Sequence, residues 1–295
     1  MEILNDLLNA IDLGVVFAVY FIILVLAILV FFYSRSALRI SIKSGLNPLP
    51  QSELPPVLTD AYNAIGRNLE NHHLTYIGDF TFDYQTGSKN YLRLFKAEQE
   101  NYLFYILAPQ IKNGFVLLLR AVTWFENGNT LLSYNHAHRL FVTSPNYIYR
   151  QFPLCMPFDL ARLHKEYTGQ LSAKTKIKEL PEDKALPGLI DNIFSEGKHS
   201  LLQKKYFKKS RVDEKYVQYT FRGILKEYCT ILADSIWPGK NSHLVKDKPF
   251  TGGFKPIIGS TLYTKLPITK PGGLKKLLLW LLLFLLLFLL LEFMG

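Results

Sequence analysis

Two cysteines in 295 residues exclude a fold built on disulfides, and neither belongs to a CxxC pair of the kind that holds structural zinc. Phosphate-cradling signatures are missing too: the chain has no GxxxxGK[ST] loop and no GxGxxG turn. GxSxG, HExxH and EF-hand loop patterns are likewise absent. Disorder is excluded by composition, since 49% of residues are hydrophobic and only 20% are charged. The last scarcity is local. Charge disappears from one long run near the N-terminus and from another near the C-terminus, and those two runs define the organisation of the chain.

Leu13 to Tyr33 is a run of 21 residues without a charged side chain. As a helix it reaches about 31 Å, the thickness of a bilayer hydrocarbon core. A cleavable signal peptide expects a basic leader and a shorter apolar core. Here Glu2, Asp6 and Asp12 precede the run with no Lys or Arg, so an uncleaved anchor is expected. The second run, Leu277 to Leu291, follows Lys275 and Lys276. At about 22 Å it is short for a span, and lysine snorkelling extends its reach. Bases follow the first run (Arg35, Arg39, Lys43) and precede the second (Lys265, Lys270, Lys275, Lys276). The positive-inside bias then places the middle of the chain on the cytosolic side and both termini outside. A bacterial inner membrane is one setting for that topology.

The chain therefore divides into an amphipathic segment (1–12), a transmembrane helix (13–33), a linker (34–56), a cytosolic domain (57–237), a basic tether (238–276) and a short second transmembrane helix (277–294). In segment 1–12, Ile3, Leu4, Leu7, Leu8 and Ile11 recur at helical spacing. That pattern suits an extension lying along the outer interface, or a helix that docks a membrane-protein partner.

Within the domain, Val57, Leu58, Ala61, Tyr62, Ile65 and Leu69 share one helical face, which predicts a helix over about 57–72. Period-two alternation follows in LTYIGDFTFDY, then YLRLF, then YLFYILA, which is apolar on both faces and so a candidate central strand. FVLLLRAVTWF and TLLSY flank an Asn127-Gly128 pair of the sort that makes two-residue hairpin turns. RLFVT and YIYRQF are weaker strand candidates. Helices are expected again over about 158–171, 187–207 and 211–236. Short connections favour antiparallel pairing. The expected fold class is α+β: an antiparallel meander sheet with helices packed on one face, flanked by an N-terminal and a C-terminal transmembrane helix. Cystatin-like folds share this order of elements, a likeness of layout that carries no function.

Few residues suggest chemistry. If Asn135 to His138 is a strand, His136 and His138 point to one face and are two potential metal ligands. A third would have to come from His164, Asp159 or Glu166. His164 lies on a helix face with Leu160, Tyr167 and Leu171, the position of a core histidine with satisfied hydrogen bonds, or of a general base near Asp159 or Tyr149. His72 and His73 end the first predicted helix and complement its dipole. With the ligand set incomplete, no metal and no cofactor are expected. Cys155 and Cys229 have no Cys-His context and are expected to be reduced thiols.

The net charge of +10 is unevenly spread. Residues 57–171 carry ten bases and nine acids, residues 172–235 thirteen and nine, and residues 236–295 eight and two. The densest cluster is Lys204, Lys205, Lys208, Lys209 and Arg211, interleaved with Tyr206 and Phe207. Anionic lipid headgroups are the partner such a cluster fits beside a membrane. A solvated helix end is the bland alternative, and nucleic acid is not expected as a partner. The function that follows is a membrane-tethered, non-catalytic domain that binds anionic lipid or a protein partner. The alternatives are a membrane-associated enzyme with a pocket containing His136, His138 and His164, or a subunit of a secretion or envelope complex.

Overall fold

The computed structural model describes residues 20–236, apart from 23, 26–27, 36, 42–44, 83–88, 98, 112–113, 136–145, 153–154 and 211–212, together with 257–258. The first helix, α1, is described at residues 20–22, 24–25, 28–35 and 37. Two short strands follow, β1 (Arg39–Ser41) and β2 (Asn47–Leu49), then α2 (Pro56–Glu70). Six strands come next: β3 (Leu74–Phe82), β4 (Asn90–Ala97), β5 (Tyr102–Ile111), β6 (Gly114–Val116), β7 (Leu118–Trp124) and β8 (Thr130–Tyr134). β9 (Tyr147–Gln151) precedes α3 (Pro157–Ser172) and α4 (Leu186–Gln203). The chain ends its described course with β10 (Phe207–Lys209), β11 (Tyr216–Tyr219), α5 (Phe221–Ile236) and β12 (Ile257–Ile258).

The fold is α+β. Proline opens α2, α3 and α4 within their first two positions, where its missing N–H costs nothing and its fixed φ suits the helix. In α2, Leu58, Tyr62, Ile65 and Leu69 are buried at the spacing of a single face. The strands order as β2-β3-β4-β5-β7-β8-β9, with β6 pairing β5 and β12 pairing β6. Successive strands from β3 to β5 and from β7 to β8 are antiparallel, as the short connections require. β5 is central, and its alternation divides the interior. Phe104, Ile106 and Ala108 pack with α2 and α3, whereas Leu103, Tyr105 and Leu107 pack with Leu186, Ile190 and Ile193 of α4.

Four expectations need correction. Helices cover both faces of the sheet rather than one, because β4 and β5 are apolar on both sides and each side must be buried. The sheet is mixed, since β8 and β9 pair in parallel. The Asn127-Gly128 pair does not make a two-residue turn. Phe125 N–H donates to the Asn129 carbonyl (2.9 Å) and Gly128 N–H to the Phe125 carbonyl (3.0 Å), with Gly128 at φ +83°. This is a three-residue loop whose left-handed residue is the glycine. Finally, the helix expected over 211–236 begins at Phe221, and the residues before it form a hairpin. Val217 and Tyr219 alternate inward with period two, and that pattern prevails over the helical spacing.

That hairpin belongs to a second, three-stranded sheet ordered β1-β11-β10. Ile40, Phe207, Val217, Tyr219 and Ile224 form its core with Leu201 of α4, and Phe31, Phe32 and Leu38 pack against it. Two residues of the stretch expected as a tether also have a place: Ile257 and Ile258 pair with Val116 and Phe115. Among the described residues no helix is long and apolar enough to cross a membrane. Of the first expected span only part lies within the described residues, and the second lies outside them, as do the strand expected at RLFVT and the segment 1–12.

Candidate functional site

The histidines separate. His136 and His138 lie outside the described residues. His164 is fully buried, at 0% exposure, and both ring nitrogens are engaged: Nε2 is 2.9 Å from Thr123 Oγ1 and Nδ1 is 2.8 Å from Ser133 Oγ. Tyr102 meets the ring edge-on at 5.1 Å. A serine hydroxyl on an imidazole is the contact of an activated nucleophile. Here Ser133 and Thr123 are as buried as the ring, so no substrate reaches them. Burial pushes the His164 pKa down to about 3, which keeps the ring neutral and makes it a feeble base at neutral pH. Asp159 and Glu166 turn to Arg162 instead of to His164. Among the described residues, no three His, Cys, Asp or Glu side chains gather in the manner of a metal site. His72 stacks on Phe158, with centroids 3.7 Å apart.

A second polar group sits under α2. Arg93 on β4 donates from Nε and Nη2 to the two carboxylate oxygens of Asp79 on β3, each at 2.7 Å. Its guanidinium lies between the rings of Tyr62 (4.8 Å) and Tyr76 (5.0 Å), and Nη1 donates to Asn63 of α2. The Tyr76 hydroxyl donates to Asp79 as well. Each guanidinium nitrogen has a partner inside the protein, which suits a group that fixes α2 on the sheet rather than one that takes a ligand.

The basic cluster lies elsewhere, on the three-stranded sheet. Lys204 and Lys205 form the turn after α4, with Lys205 at φ +57°, and Lys208 and Lys209 are exposed on β10. Arg211 lies outside the described residues. In the antiparallel register Arg39, Gln218 and Lys208 stand side by side, so they share the face opposite Ile40, Val217 and Tyr219. Sequence reasoning found the lysines but missed Arg39 as their neighbour, because β1 is only three residues long and carries no alternation to read.

The turn is joined to the start of α5 by one residue. The Thr220 hydroxyl donates to the Lys205 carbonyl (2.7 Å), the Thr220 N–H donates to the Tyr206 carbonyl (2.9 Å), and the same hydroxyl accepts from the Gly223 N–H (3.1 Å) as a helix cap. α5 in turn packs on α1. Phe31 meets Tyr228 (5.5 Å), Phe32 meets Phe221 (5.3 Å), and Arg35 pairs with Glu227 at 3.1 Å. Burial raises the Glu227 carboxyl above its usual range, and the Arg35 charge offsets only part of that rise. A basic hairpin, an amphipathic helix and the end of the long apolar run therefore form one packed unit. Among its described residues, within 28–41 and 200–230, nine bases face three acids.

Cys155 is buried and its thiol is pushed up to about 12, whereas Cys229 on α5 is exposed. Comparison with known protein families, with characterised proteins and with solved structures finds no match to this chain.

Proposed function

We propose that this chain is a membrane-anchored, non-catalytic protein whose three-stranded unit binds anionic lipid headgroups. In this reading residues 13–33 and 277–294 span the bilayer, both termini lie outside, and the α+β domain stands at the cytosolic surface. One observation carries it. Phe31, Phe32 and Arg35, at the end of the first apolar run, pack on the same unit that presents Lys205, Lys208 and Lys209 to solvent. Basic side chains fixed within a few residues of a bilayer boundary sit inside the negative surface potential. Each is worth about 1 kcal/mol there, fading beyond a Debye length. The buried, fully bonded His164 favours binding over catalysis as the work of the domain.

The test uses the full chain, because a fragment starting after residue 44 would lose β1 and the α1 contacts. Hydrogen exchange of residues 204–219 is compared in nanodiscs of neutral and of anionic lipid. Anionic lipid should slow exchange there, high salt should reverse the effect, and changing Lys204, Lys205, Lys208 and Lys209 to Gln should abolish it. Equal exchange in both lipids would transfer the unit to a protein partner.

A further inference from the structure

Among the described residues, nothing covers one outward face of α5. Phe221 is 71% exposed and Leu225 is 44% exposed. With Cys229, also exposed, they recur every four residues and form a row along the helix. Arg222 and Lys226, both exposed, run parallel one residue on. The opposite face is occupied: Ile224 enters the core of the small sheet, and Glu227 and Tyr228 meet α1. An apolar row bordered by long basic side chains is the pattern of a helix lying in a bilayer interface. There the apolar groups enter the acyl boundary while the cationic heads snorkel to the phosphates. The Arg222 guanidinium lies over the Tyr206 ring, at 5.3 Å.

The depth of the row follows from its neighbour. Phe221 is in ring contact with Phe32, and Phe32 belongs to the last turn of the uncharged run that ends at Tyr33, before the first base, Arg35. If that run spans the hydrocarbon core, Phe221 stands at its edge. We infer that the Phe221, Leu225 and Cys229 row of α5 is an interfacial lipid-contacting face, with Arg222 and Lys226 on lipid phosphates. This rests on the membrane reading above and adds to it a point of insertion, which holds the domain face-down where the lysine hairpin alone would leave it free to swing.

Cys229 is itself the reporter. The full chain with Cys155→Ala, labelled at Cys229 with an environment-sensitive fluorophore, is placed in nanodiscs whose lipids carry a spin-label quencher high on the acyl chain. A second protein carries the label on Ala173→Cys, at the exposed end of α3, with Cys229→Ser. The Cys229 probe should emit at shorter wavelength and be quenched severalfold more than the Ala173→Cys probe. Changing Phe221 and Leu225 to Asp should bring its quenching down to the control. If the chain floats with vesicles yet the Cys229 probe behaves like the control, the inference fails and the anchoring survives. A probe that is shielded but not quenched by lipid also defeats it, because residues 277–294 or a second copy would then cover the row. A chain that does not float at all defeats both.

Discussion

Gly223 has no room for a side chain: a Cβ there would overlap the carbonyl oxygen of Tyr206. That carbonyl already accepts a hydrogen bond from the Thr220 N–H, and the Thr220 hydroxyl, which donates to the Lys205 carbonyl, lies 3.0 Å from it, so it is held in place. The first turn of α5 is thus seated on the backbone of the lysine turn, in direct contact with the hairpin.

Gly223→Ala should therefore separate them. In an open helix this exchange is favourable by up to about 1 kcal/mol. Here the overlap reverses the sign, at a cost of about 1–3 kcal/mol, the usual range for overpacking. Hydrogen exchange should rise over residues 204–220 and stay unchanged in β4 and β5. Gly169→Ala on α3 is the control, since nothing lies within 4 Å of its added carbon. Equal effects from the two changes would show that the close approach at Gly223 has no energetic weight.

Arg93 and Asp79 support a second prediction. The pair is nearly inaccessible, with side-chain exposures of 4% and 0%. Removing one partner strands a buried charge, so Arg93→Met or Asp79→Leu alone should cost about 3–5 kcal/mol. Arg93→Lys should fall close to that range, because an ammonium cannot reproduce the two-pronged contact or lie flat between Tyr62 and Tyr76. The double apolar variant should recover most of the loss. Denaturant midpoints for the native chain, Arg93→Met, Asp79→Leu and the double variant give the coupling, and additive losses would sink the account.

What the sequence disclosed and what it concealed have physical causes. Strong periodicity made α2, β4 and α3 readable within a residue or two, and β3 and β5 within three, since their apolar residues recur at the period of the element. β5 announced its central place by being apolar throughout. The second helical layer was harder to see. α4 covers a face whose exposure would have been costly, but nothing local to residues 186–203 says which face it takes. The three-stranded sheet escaped reading because its strands have three, three and four residues and its partner, β1, comes from far along the chain. The lysine cluster stood out by composition alone. Its bond to Thr220 and the exposed row on α5 arise only from the tertiary packing.

His164 yields the last prediction, a dependence of stability on pH. Folded, the ring is neutral with a pKa near 3, against 6.5 for a free histidine. Unfolded, it takes up a proton as the pH falls below about 6.5. The unfolded chain then binds more protons than the folded one, so acid favours unfolding. The contribution of this residue is complete above pH 6.5 and declines by about 1.4 kcal/mol per pH unit down to about pH 3, where it levels off. The groups around it do not offset this: Ser133, Thr123 and Thr168 are hydroxyls, and Tyr102 is held protonated by its own burial. His164→Gln keeps one hydroxyl partner and loses the other. At pH 7.5 it should be about 1–3 kcal/mol less stable than the native chain, the range for a stranded buried partner. Because glutamine does not titrate, that gap should narrow as the pH drops and close near pH 5. Denaturant midpoints of the full chain from tryptophan fluorescence, taken from pH 7.5 to pH 4.5, follow the gap directly. Two parallel curves would mean that the ring protonates while folded, and that its burial does not hold it neutral.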